Sequence, residues 1–156
     1  MDEMTKAVQA AQAAAAMARL YMLGMGVLSK AFYQKYGKEA LPIIVGVVSQ
    51  GGAEGAKMMQ QMGRAKSMKG VAEGYRHMCA MMGLKMDVTE LSDKAAKFRT
   101  SQCPYGVQGT SRELCQAMNE GDRTLMSTFL GQEVGQQVVK SLAMGDKECE
   151  VIFSIK

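Results

Sequence analysis

The chain is poor in several residue types that commonly carry chemistry or hold charged partners. It has one histidine, His77, in 156 residues, so no histidine-rich metal centre can form within it and no histidine general base is evident. Aromatic residues make up 6% of the chain, too few for the stacking platforms of single-stranded nucleic-acid binders. No run of about five or six like charges occurs. The net charge is only +4 and the lysines are scattered, so no nucleic-acid footprint is indicated. No stretch reaches the roughly 18 uninterrupted apolar residues expected of a membrane span, because Arg19, Lys30, Lys35 and Lys38 punctuate the one candidate. The amino terminus, MDEMTK followed by AVQAAQAAAAMARL, lacks the basic start and compact apolar core of a secretory signal. A cytoplasmic setting is therefore expected, where cysteines serve as thiols or metal ligands rather than disulfides.

What is present fits a single α+β domain spanning residues 1–156, long enough to bury a sizeable core. Residues 1–83 form a helical layer. Residues 3 to 36 lack proline and are rich in alanine, leucine and methionine, which predicts one long helix stopped by Gly37. Its apolar positions Met17, Leu20, Tyr21, Leu28 and Phe32 recur at helical spacing. A second helix follows with Pro42 in its first turn. It carries Gly46, Gly51, Gly52 and Gly55, which point either to close helix packing or to a backbone approached by a ligand. After the basic linker RAKSMKG a third helix runs across VAEGYRHMCAMM. His77 and Cys79 lie two apart there, on different sides of the helix, and cannot share a metal.

From Leu84 the period becomes alternating, and residues 84–156 read as hairpin, helices, hairpin. Leu84, Met86 and Val88 form one strand, and Ala96, Phe98 and Thr100 the next, ended by Pro104. Thr110-Ser111-Arg112-Glu113 is a capping-box pattern that starts a short helix bearing Leu114, Cys115 and Met118. Gly121 closes that helix and Asp122 caps the next, RTLMSTFL. Val138 to Met144, a Gly145-Asp146 turn and Glu148 to Ile155 complete a second hairpin. The expected sheet is antiparallel, of about four strands.

The cysteines are the chemical focus. Cys103 is expected to end a strand, Cys115 to lie in a helix and Cys149 to open the last strand, so the three converge at one sheet edge. Three thiolates suit a divalent metal, zinc above iron, with Asp122, Asp146, Glu148 or water as fourth ligand. An iron–sulfur cluster is the lesser alternative, since it would need to recruit Cys79. A thiolate-rich site makes a poor Lewis acid, leaving Asp122 or Glu120 to move protons.

The pattern CPY, ELC, GD and the closing GDKECEVIF, with weaker similarity back through MARLYMLGMGVLSKAFYQKYGKEA, resembles the L-2-amino-thiazoline-4-carboxylic acid hydrolase-like family. More distantly the chain is similar to the 4-vinyl reductase domain, a small-molecule-binding α+β module. The first resemblance implies hydrolytic ring opening, a metal on Cys103, Cys115 and Cys149 and an acidic catalytic residue at Asp122. Asn119 departs from it, standing where another cysteine is expected. The second implies a non-catalytic ligand-binding or sensory domain. An accessory subunit of a larger complex is a third expectation, because the first helix could meet a second copy or a partner protein. In each case a small molecule is the expected ligand or the helix the expected contact, with neither nucleic acid nor membrane involved.

Overall fold

The computed structural model describes residues 2–156. Helix α1 (Glu3–Tyr36) opens with Asp2, whose carboxylate accepts from the Thr5 N–H, and ends at Gly37, φ 60°. A 3-10 turn (Gly37–Ala40) leads into α2 (Leu41–Gln61), with Pro42 in the first turn where a missing N–H costs nothing. Helix α3 (Met68–Met81) is capped by Ser67. The strands are β1 (Asp87–Leu91), β2 (Ala95–Thr100), β3 (Val134–Lys140) and β4 (Cys149–Ile155), and α4 (Arg112–Leu130) lies between β2 and β3. They form one antiparallel sheet in the order β1-β2-β4-β3. The architecture is α+β, with the helices layered over the sheet.

Helix α4 is the axle of the domain. Leu114, Cys115, Met118, Leu125, Met126 and Phe129 are all buried along it. The two short helices expected here are one. Gly121 does not stop the helix; it lets α2 approach, because a Cβ on Gly52 would stand 2.0 Å from the Gly121 carbonyl oxygen. Only backbone fits at that crossing. The stop is Gly131, left-handed at φ 67°, whose N–H donates to the Ser127 carbonyl.

The second hairpin also differs from expectation. Strand β3 starts earlier, at Val134, and polar Gln136 and Gln137 within it mask the alternation. Gly145, φ 91°, closes a 3-10 turn (Leu142–Met144) instead of a two-residue hairpin turn. Asp146 accepts from the Ser141 N–H at 2.8 Å and fixes that longer connection. In the first hairpin, Leu84 and Met86 are buried but precede β1, and β2 ends at Thr100, so Cys103 lies in the loop beyond it.

Helix α1 meets the core with only one of its expected apolar positions, Phe32, which packs against it partly buried. Met17, Leu20, Tyr21 and Leu28 are about 70% exposed, and only Gly26 and Ser29 are fully buried. Gly26 explains the seating: a Cβ there would fall 1.6 Å from the Tyr105 carbonyl oxygen, so α1 rests on the backbone of the loop after β2.

Candidate functional site

Cys115, Asn119, Asp122 and Met126 follow one another at helical spacing along α4, so an acid occupies a position on the inward stripe. The space around that stripe divides in two. On the sheet side lies a cavity of about 50 Å³, walled by Phe98, Cys103, Cys115, Met118, Cys149 and Phe153 among others. On the helix side lies a groove of about 220 Å³ among α1, α2, α3 and α4. Its walls include Tyr21, Met22, Met25, Val48, Gly51, Met78 and Leu125. Tyr75, Pro104, Tyr105 and Asp122 face both spaces and form the partition between them.

Packing fixes the partition. The Tyr75 ring meets Phe98 edge-on at 5.2 Å, and Phe98 meets Phe153 in the same way at 5.9 Å. Each such pair contributes about 0.5–1.5 kcal/mol beyond its buried area. The ring chain thus runs from the sheet into α3 and holds the Tyr75 hydroxyl toward α4. Tyr105 is set by the loop in which the Val107 N–H donates to Cys103 Sγ at 3.4 Å and the Thr110 hydroxyl donates to the Val107 carbonyl at 2.6 Å.

Electrostatically the partition is a desolvated acid among phenols. Asp122 keeps some accessible surface, but that surface faces cramped, largely apolar cavities. Burial therefore raises its carboxyl to about 7, while hydrogen bonding from Tyr75 pulls the other way. Burial, with Asp122 as the next cause, also holds the Tyr75 and Tyr105 phenols well above their ordinary value and raises the Cys79 thiol to about 12. No lysine, arginine or histidine lines either space. Arg112, close enough to affect Cys115, donates to the Val138 carbonyl at 3.1 Å.

The three expected cysteines do gather around the smaller cavity. Each sulfur accepts a hydrogen bond: Cys103 from Val107 N–H at 3.4 Å, Cys115 from the Ser141 hydroxyl at 3.1 Å and Cys149 from Leu142 N–H at 3.4 Å. Burial pushes the Cys149 thiol to about 11 and raises that of Cys115. The donor type suits zinc, yet among the described residues no three cysteine, histidine, aspartate or glutamate side chains stand at metal-holding spacing. Of the expected fourth ligands, Asp146 is engaged with Ser141 and Glu148 with Lys140 at 3.0 Å, while Asp122 lines the same cavity. As arranged the residues do not fit a metal centre. Glu120, the other expected acid, is paired with Arg123 at 2.6 Å. Cys79 is buried facing the groove and His77 is exposed, so those two stay apart from the cysteine trio.

No protein-family model and no curated protein sequence matches the chain. Solved structures do. One is the phenol-responsive sensory domain of the transcription activator PoxR with phenol, at TM-score 0.67 and 14% identity over 86% of this chain and 74% of that one. Another is trafficking protein particle complex subunit 3 from Naegleria fowleri, covalently bound to palmitic acid, at TM-score 0.61 and 15% identity over 88% of this chain and 94% of that one. The fold is shared. Identities this low establish architecture and nothing finer, and the expected kinship with the thiazoline hydrolase-like family finds no support at family level.

The expected residues Asp122, Cys103, Cys115 and Cys149 all line the sheet-side cavity, whereas Tyr75 and the helix-side groove were not foreseen. The available signal was Gly51 in α2. Its Cβ position meets nothing within 4 Å, whereas that of its neighbour Gly52 is jammed against α4. Close packing thus accounts for Gly52, while Gly51 borders the open groove.

Proposed function

We propose that this protein is a small-molecule-binding module of the sensory kind, taking a mainly apolar ligand into the helix-side groove beside Asp122 without converting it. The supporting observation is the groove itself: about 220 Å³ of apolar wall converging on one carboxyl. Size selects the groove over the sheet-side cavity. An apolar cavity of about 150 Å³ accepts benzene, so the cavity of about 50 Å³ is too small for a ring and the groove is not. The neighbours of like fold, one solved with phenol and one carrying palmitate, are consistent with a ligand in this architecture. Covalent attachment is not favoured, because a Cys79 thiol at about 12 is almost wholly protonated and a weak nucleophile. Nor does a catalytic pair present itself, with Glu120 held by Arg123 and the Cys115 and Cys149 thiols shifted upward.

The neutral fluorophore N-phenylnaphthylamine tests this reading. It should bind saturably, and Gly51→Leu, which fills the groove without touching the core, should abolish binding while leaving the melting temperature unchanged or higher. Equal binding by the variant, or no saturable binding by either protein, would overturn the reading.

A second reading rests on the sulfurs. Each of Cys103, Cys115 and Cys149 already accepts an N–H or O–H, and such bonds favour the thiolate a metal needs. Zinc binding there would require the three side chains to move inward. Added zinc should then be retained after gel filtration and lost on changing any one of the three to Ser, but not on Cys79→Ser; equal retention by all four variants removes the reading. The exposed face of α1 is likewise read as a contact for a second copy of the chain.

A further inference from the structure

The groove's polar equipment is lopsided, and that asymmetry specifies its ligand more closely. Among the described residues its single charged group is Asp122, and no cationic side chain lines it or the adjoining cavity. Three tyrosines, Tyr21 from α1, Tyr75 from α3 and Tyr105 from the loop after β2, line the same groove, together with the thioethers of Met22, Met25, Met78 and Met82. Burying a carboxylate without a counter-charge is costly, and proteins ordinarily pair such a group internally. Here no protein residue in the wall does so.

We infer that the groove takes an organic ammonium on an apolar body, with the Asp122 carboxylate as counter-charge and the tyrosine rings around the cationic head. The inference rests on the ligand-binding reading above and narrows it to a chemical class. An ammonium ion is attracted both to a carboxylate and to aromatic faces, and tyrosine cages are a recurring way of holding one. A carboxylate ligand meets the reverse situation: a like charge beside Asp122 and no cation to offset its lost hydration. The groove therefore selects against a ligand whose only charge is a carboxylate. Tyr75 and Asp122 line the groove together, so a cationic head placed there meets the carboxylate and a phenol ring at once.

Three probes of one size separate the possibilities: phenethylamine, phenethyl alcohol and phenylacetate, each displacing N-phenylnaphthylamine from the full chain near pH 8. Phenethylamine should compete at least about tenfold better than the alcohol, the low end of measured couplings between close charges. Phenylacetate should be the weakest of the three. Asp122→Asn should remove the amine's advantage while the alcohol still competes. Tyr21→Leu, at a groove residue 70% exposed, should reduce the advantage partly. If phenylacetate competes as well as the amine, or if Asp122→Asn leaves the amine's advantage intact, the inference is overturned. Fluorophore binding with no preference among the probes also overturns it and leaves the ligand-binding reading standing. Absence of saturable fluorophore binding removes both.

Discussion

The two sides of α4 use the same helix for opposite purposes. On one side it buries Met118, Met126 and Phe129, each no more than 1% exposed, and Met118 walls the sheet-side cavity of about 50 Å³. Toward the other helices it presents Gly121, Asp122 and Leu125 to a groove of about 220 Å³. One side is nearly filled and the other is open, and Asp122 stands on the partition between them without a cation. Close packing maximises stability, so a space large enough for a ring with an acid at its base indicates a function that stability alone would have removed.

The comparison breaks most visibly at the paired glycines of α2. Gly52→Leu should cost at least about 4 kcal/mol, since its Cβ would lie 2.0 Å from the Gly121 carbonyl oxygen. Gly51→Leu should be neutral or stabilising by up to about 1 kcal/mol, because leucine replaces a helix-weakening glycine at an open position. Chemical denaturation of both variants checks this, and similar losses at the two sites would show that the groove is an artefact of loose packing.

A smaller effect follows from Asp122. The groups facing its carboxyl, Tyr75 and Cys79 on α3 and Tyr105 on the loop, are all neutral near pH 7. The folded value, about 7, lies above the ordinary 3.8. The folded state therefore holds its proton more tightly than the unfolded one, and stability falls as pH rises from about 4 to about 7. Asp122→Asn should stabilise the protein by roughly 2–3 kcal/mol at pH 8, allowing for the carboxyl's residual solvation, and by almost nothing near pH 4. A variant less stable than the wild type at pH 8 would mean that the acid is held by contacts outside this description.

The smallest change in stability is expected in α1. Residues 2 to 14 are all exposed, so deleting them should cost less than about 1 kcal/mol. Self-association should respond more, since Met17, Leu20, Tyr21, Val27 and Leu28 form an exposed apolar face near the cut. One 18-residue window within the continuous helical segment Glu3–Gln61 also reaches a mean hydropathy of 1.2, enough by length and composition to cross a bilayer. Light scattering with and without phosphatidylcholine vesicles separates the outcomes: a dimer that the deletion weakens supports contact with a second copy, whereas a monomer, or a protein that leaves solution only with vesicles, contradicts it.

Much of this architecture was legible in the sequence. The ends of α1 were given by proline-free helix formers up to Gly37, Thr110-Ser111-Arg112-Glu113 placed the start of α4 although Ser111 and not Thr110 caps it, and Cys149 does open β4. The error that mattered most for the site was a glycine read as punctuation where it serves packing, whereas the late start read for β3 came from Gln136 and Gln137 breaking the alternation. Gly121 looked like a helix stop because its role depends on Gly52, 69 positions earlier, and no local pattern conveys that. Splitting α4 at Gly121 turned Asp122 into a cap and hid its place on the stripe with Cys115, Asn119 and Met126. In α1 periodicity identified an apolar face, but Gly26 determines which face meets the body, because only there can the helix approach the Tyr105 carbonyl.

The methionines provide the most direct test of where a ligand goes. Met22, Met25, Met78 and Met82 line the groove, Met86 and Met118 line the sheet-side cavity, and Met4, Met17 and Met144 are on the surface. In methyl-labelled full-length protein titrated with N-phenylnaphthylamine, ring currents should shift the four groove methyls first and farthest, with Met4, Met17 and Met144 unmoved. Shifts confined to Met86 and Met118, or spread evenly over the surface methionines, would contradict a ligand site among the helices.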